Sequence, residues 1–177
     1  ETTAATDTVN IATGTDSVEG TVAAPGYDSI TGFAATAANN DKLLIGSAAI
    51  TTAAQTVADA TGLTTETDTG TVAAAMSATG IVTVSGTSAA NVDTLAEWID
   101  IAEALIQAEL LAVDVQNTTV TAAFEFGGNT YVVQGTDTSA TGDSAITYAQ
   151  DAVVELIGLT GVTGLNGTAA ANVIEIA

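Results

Sequence analysis

Residues 119–134 read TVTAAFEFGGNTYVVQ. Val120, Ala122, Phe124 and Phe126 occupy alternate positions, Gly127-Gly128-Asn129 supplies turn chemistry, and Tyr131 and Val133 resume the alternation. Two runs with a period of two, separated by residues that tolerate positive φ, predict an antiparallel β-hairpin with one apolar face. That hairpin needs something to cover it, and the preceding stretch supplies a candidate. From Asn91 to Val113 the residues Leu95, Trp98, Ile99, Ala102, Leu105, Ile106 and Leu110 recur at steps of three and four. This is one face of an α-helix, expected to pack on the chain's own sheet with Trp98 as a core anchor. Asp93 or Asn91 is placed to N-cap it. Glu97, Asp100 and Glu103 are expected on its wet face, early enough for the helix dipole to favour anions.

Further strands are expected on both sides. Ile81-Val82-Thr83-Val84 reads as a strand, as do residues 152–156 and the closing Val173-Ile174-Glu175-Ile176. Gly158, Gly161, Gly164 and Gly167 mark turns or short-strand breaks. Residues 46–80 are rich in Ala, Thr and Gly; 48–60 has the length of a short helix, but its Thr content opposes one. The fold class expected is mainly β (α+β), with one long amphipathic helix.

Composition removes several functions. The chain has 177 residues, one Lys or Arg against 21 Asp and Glu, and a formal net charge of −20. A single cation cannot neutralise a phosphate backbone or anionic lipid heads, so neither nucleic acid nor a lipid surface is an expected partner. No apolar run reaches the roughly 20 residues that a membrane-spanning helix needs. The absence of His and Cys removes imidazole and thiol chemistry and the usual zinc, haem and iron–sulfur ligands. Oxygen ligands remain, and these suit hard cations such as Ca²⁺. Carboxylates at helical spacing on a polar face, such as Glu97, Asp100 and Glu103, read as a solvated surface, so no enzyme activity is expected. The start at Glu1, without Met or an apolar leader, points to a processed product or a fragment.

The first 33 residues carry three pieces of one form: Asp7-Thr8-Val9-Asn10, Asp16-Ser17-Val18-Glu19 and Asp28-Ser29-Ile30-Thr31. Gly14 and Gly26 each stand two before their Asp. This pattern resembles the repeats-in-toxin (RTX) nonapeptide GGxGxDxUx, with the doubled glycines missing and Val9, Val18 or Ile30 at the large apolar position. The resemblance implies a short β-roll in which turn aspartates and carbonyls hold Ca²⁺. Asp16 and Asp28, then Asp7 and Asp41, are the candidate ligands; the same residues also suit Asx turns without metal. Ile30-Thr31-Gly32-Phe33 followed by Asp41-Lys42-Leu43-Leu44-Ile45 is similar to the segment that closes RTX arrays. Phe33 would then plug the end of the solenoid, and Leu43 and Ile45, alternating, would form the next strand.

A second resemblance spans roughly residues 91–165. The order helix, Phe-x-Phe-Gly-Gly-Asn-Thr-Tyr-Val-Val, loop, Asp-Ala-Val-Val-Glu-Leu-x-Gly-Leu is similar to the C-terminal module of bacterial type I-secreted RTX and surface-layer proteins. Asn129 stands where that family commonly has Asp, and Ile157 where it has Thr. Together these imply a β-roll remnant and cap over 1–46, a connecting segment over 47–90, and a helix-plus-sheet or sandwich module over 91–177. About twenty like charges repel one another, which favours high ionic strength or bridging divalent cations outside the cell. Strands short of Lys and Pro leave sheet edges open to pairing, with 172–176 the leading candidate. The expected function is a secreted structural protein that self-assembles, with Ca²⁺, into a bacterial surface layer or extracellular filament. The alternatives are a secretion and folding module of a larger exoprotein, or a Ca²⁺-dependent adhesin that binds a glycan or a host surface; a cell-surface polysaccharide is a candidate partner.

Overall fold

The computed structural model describes residues 8–11, 18–21, 24–36, 39–45, 55–57, 72–87, 89–113, 118–137, 152–168 and 173–177. Asp7 and Asp16 lie outside the described residues, as does most of 46–80. In chain order the elements begin with β1 (Thr8–Ile11), β2 (Val18–Thr21), β3 (Ala24–Gly26), β4 (Asp28–Thr31), β5 (Ala35–Thr36), β6 (Asn39–Asn40), β7 (Lys42–Ile45) and β8 (Gln55–Val57). They continue with β9 (Ala73–Met76), β10 (Val82–Ser85), a 3₁₀ turn (Ala89–Asn91), α1 (Leu95–Val113), β11 (Thr119–Phe126), β12 (Asn129–Thr136), β13 (Ala152–Ile157), β14 (Leu165–Thr168) and β15 (Val173–Ile176). Among the described residues the protein is strand-rich with a single α-helix, a mainly β, α+β architecture. Gln55–Val57, inside the stretch whose length suits a helix, is a strand.

The hairpin forms as its pattern predicts. Phe126 faces Asn129 across the ladder, so the loop is Gly127-Gly128 alone, with φ of 61° and 85°. Two successive positive φ values define the tight turn whose twist matches a hairpin. Asn129 is therefore the first residue of β12 rather than part of the turn. The hairpin extends into a sheet of order β11-β12-β13-β4, in which β4 joins β13 in parallel. A second four-stranded sheet has the order β1-β7-β15-β14, with β1 parallel to β7. A third, β10-β9-β8, is antiparallel.

Both faces of the central sheet are buried. One face, with Val120, Ala122, Phe124, Tyr131, Val133 and Val153, packs against α1 and against Ala74, Met76 and Val82 of the third sheet. The other, with Ala123, Val132, Ala152, Val154 and Leu156, packs against Leu43, Ile45, Leu165, Ile174 and Ile176. Phe33 is buried in this second cluster, and Leu43 and Ile45 alternate into it as expected. In α1 the buried apolar residues are Ile99, Ile101, Ala102, Leu105, Ile106 and Leu110. Each buried Leu or Ile contributes about 1.5–3 kcal/mol, far more than helix propensity supplies.

Three expectations are corrected. The N-cap of α1 is Thr94, not Asp93 or Asn91: Thr94 Oγ1 accepts from Glu97 N–H (3.3 Å), and Glu97 Oε2 accepts from Thr94 N–H (2.9 Å) and Asp93 N–H (3.1 Å). This reciprocal capping box draws the Glu97 carboxylate back onto the chain, so Glu97 is 1% exposed rather than on a wet face. The closing strand β15 is not an open edge. It lies between β14 and β7, because Ile174 and Ile176 bury into the second cluster and its backbone pairs on both sides. Its Glu175 meets Lys42 at 2.8 Å, so the chain's single cation is held by a cross-strand carboxylate.

Candidate functional site

The apolar face beneath α1 carries an aromatic ladder. Trp98 stacks on Phe124 with centroids 5.4 Å apart and planes 22° from parallel; Phe124 stacks on Tyr131 at 5.4 Å and 16°. Tyr27, just before β4, meets Tyr131 edge-on at 5.8 Å. Register explains the order: Phe124 and Tyr131 are directly opposite on β11 and β12. Trp98 reaches Phe124 from α1. Phe124 is fully covered, whereas Trp98 at the end of the ladder is only half-buried.

Tyr131 leads to a saturated carboxylate. Glu155 faces it on β13 and accepts three hydrogen bonds: from Ser29 Oγ (2.6 Å), Asn129 Nδ2 (2.7 Å) and Tyr131 Oη (2.8 Å). Burial opposes ionisation of Glu155, but the bonds from Ser29, Tyr131 and Asn129 outweigh it and hold the carboxyl below the usual range. Burial, with the bond to Glu155, pushes the Tyr131 phenol well above its ordinary value. Both shifts run away from neutrality, the opposite of what general acid–base exchange at neutral pH requires. The chemistry this arrangement performs well is fastening.

The same corner holds the Gly-rich loop after β13. Asn129 Oδ1 accepts from Gly158 N–H (2.9 Å), and Thr130 Oγ1 donates to the Leu159 carbonyl (2.8 Å). Glu125 Oε1 accepts from Gly161 N–H (2.5 Å) and Val162 N–H (2.8 Å). Gly158 and Gly161 have φ of 75° and 79°, which a side chain would strain. The Asn129-Thr130-Tyr131 run and the Gly158–Gly161 run are thus two halves of one clasp. No protein-family model matches the chain, and no curated protein is similar to it.

Beside the ladder lies an open cleft of about 330 Å³, lined by Val82, Thr83, Val84, Trp98, Phe124, Glu125 and Val162 among others. Sequence reasoning assigned Trp98 to the core and did not find this cleft. Nothing local signals it, because its walls come from β10, α1, β11 and the 158–162 loop.

Of the expected Ca²⁺ ligands, the structure describes two, Asp28 and Asp41. Asp28 is half-buried in β4, in register with Val154 of β13. Asp41 is buried, and its Oδ2 accepts from Ala34 N–H (2.9 Å) while its own N–H donates to the Ala34 carbonyl (2.8 Å). It therefore ties Ala34, ahead of β5, to the start of β7. Among the described residues, no three carboxylates gather as a metal site would require.

Proposed function

We propose that this chain is a secreted, non-enzymatic structural protein of the bacterial cell exterior, self-associating through strand edges into a surface layer or extracellular filament, with Ca²⁺ offsetting its charge. The observation that carries the reading is the charge balance. The net charge is −20, and Lys42, the only basic residue, is already engaged by Glu175. Copies of such a chain repel one another unless dissolved cations intervene, so close packing demands a salty or Ca²⁺-rich medium. The strand-rich fold supplies surfaces for packing: among the described residues β1, β4 and β14 each have one paired neighbour in their sheets.

The finer reading keeps residues 1–46 as a degenerate RTX-like β-roll and cap, 47–90 as a connecting segment, and 91–177 as the C-terminal module. Asp16, Asp28, Asp7 and Asp41 remain the proposed Ca²⁺ ligands. The clasp on Glu155 and the Gly-rich loop supports a module built for rigidity, since every donor in it is spent within the chain. Negative-stain microscopy of the purified protein tests the proposal. Regular sheets or fibres at millimolar Ca²⁺ that disperse on adding a chelator are expected. Monomers under every Ca²⁺ condition would overturn it and favour the secretion-module reading.

A further inference from the structure

The cleft beside Trp98 has a composition that selects its ligand. Its volume of about 330 Å³ lies at the lower end of the roughly 300–1,000 Å³ typical of small-ligand pockets. Aliphatic walls come from Val82, Val84 and Val162, aromatic ones from Trp98 stacked on Phe124. The single ionised side chain in the lining is Glu125. Both backbone N–H donors to that carboxylate end on Oε1, and among the described residues none reaches Oε2. The two lining hydroxyls are spent on backbone carbonyls: Thr83 Oγ1 on Ala75 (3.4 Å) and Thr130 Oγ1 on Leu159 (2.8 Å).

These facts sort the ligand classes. A polyol needs several donors and acceptors, and here Glu125 is the main one on offer. An anion is repelled both by Glu125 and by the field of a chain at −20. A bare metal ion gains little from apolar and aromatic walls and demands more oxygen ligands than the cleft holds. An apolar-bodied cation suits each kind of wall: its carbon skeleton the valines, its charge the indole and the Glu125 carboxylate.

We propose that this cleft binds an organic ammonium group, with Trp98 as the aromatic surface and Glu125 as the counter-ion. This reading rests on the lining of the cleft and not on self-assembly or Ca²⁺.

Trp98 is the only tryptophan in the chain, so all tryptophan emission comes from a residue that lines the cleft. The experiment titrates the protein with choline chloride, with sodium chloride at matched ionic strength, and with dimethylbutanol, the neutral carbon isostere of choline. A saturable change with choline is expected, none with sodium, and about tenfold weaker binding of the isostere. Glu125→Gln keeps an acceptor for the loop N–H groups and is expected to weaken choline about three- to tenfold. Should that variant melt earlier, Thr83→Lys decides the matter. Thr83 is exposed on β10, so the fold tolerates the change, and the new ammonium at the rim is expected to abolish the choline response. The proposal is overturned by an absent choline response, one that sodium reproduces, equal binding of the isostere, or a choline response undiminished in Thr83→Lys.

Discussion

Tyr131→Phe isolates one bond of the clasp. The phenyl ring remains to stack on Phe124 and to meet Tyr27, so only the hydroxyl is lost. That hydroxyl is one of three donors to Glu155, at 2.8 Å. Hydrogen bonds to charged groups contribute about 1.5–3 kcal/mol, and the partial solvent access of Glu155 places this one near the lower end, at about 1–1.5 kcal/mol. For a chain of this length the expected fall in Tm is about 2–6 °C. The effect carries a pH signature. Glu155 titrates below its ordinary value of 4.5 in the folded state, so its stabilisation is complete above that value and is lost as pH falls through the lowered one. The penalty of Tyr131→Phe is therefore constant from about pH 7 down to the ordinary glutamate range and smaller at a pH below the lowered value. Urea unfolding followed by circular dichroism measures it. Adding Glu155→Gln closes a double-mutant cycle in which the two penalties are expected to be non-additive. An equal penalty at both pH values, or strict additivity, refutes the assignment of Glu155 as the charged acceptor.

Three further outcomes follow from local geometry. Gly80→Ala is expected to cost about 2–4 kcal/mol, because a Cβ there meets the Thr121 carbonyl oxygen at 2.8 Å on a backbone with φ +78°; Gly128→Ala, with open space around it, costs only the left-handed backbone, about 1–2 kcal/mol. Equal urea midpoints for the two variants contradict this. Thr94→Val is expected to lower stability by about 1 kcal/mol through loss of the capping box, whereas Asp93→Ala changes it by no more than about 0.5 kcal/mol; thermal melts followed by helix signal distinguish them. Thr130→Val removes the buried donor to Leu159 at a cost of about 1 kcal/mol, and hydrogen exchange is expected to rise in residues 158–162 while α1 stays protected.

The hairpin and the helix were legible because each announces itself by period: two for Val120, Ala122, Phe124 and Phe126, three and four for the apolar face of α1. What period cannot convey is that the hairpin is covered twice. Thr121, Thr130 and Gln134 occupy the alternation's polar places and so suggest a wet face, yet all three are buried, with Gln134 Nε2 donating to Thr121 Oγ1 at 2.9 Å. A polar side chain enters a core when a partner awaits it there, and the partner lies on another strand that local pattern does not reveal. The Gly-punctuated run at 158–167 was legible as turns, but its attachment to Asn129, Thr130 and Glu125 spans about thirty positions of sequence.

Four carboxylates follow one rule. With a single cation in the chain, an acid that the fold holds in place is answered by dipoles. Asp41 takes the Ala34 N–H, Glu97 the N–H groups opening α1, Glu125 those of Gly161 and Val162, and Glu155 an alcohol, an amide and a phenol. Each of these acids thereby fastens a loop or a helix end. Internal dipoles fix geometry without cancelling net charge, so the long-range repulsion of −20 is left to the medium. Local order and the large net charge thus have the same origin, a chain that has replaced basic side chains with backbone N–H and hydroxyl donors.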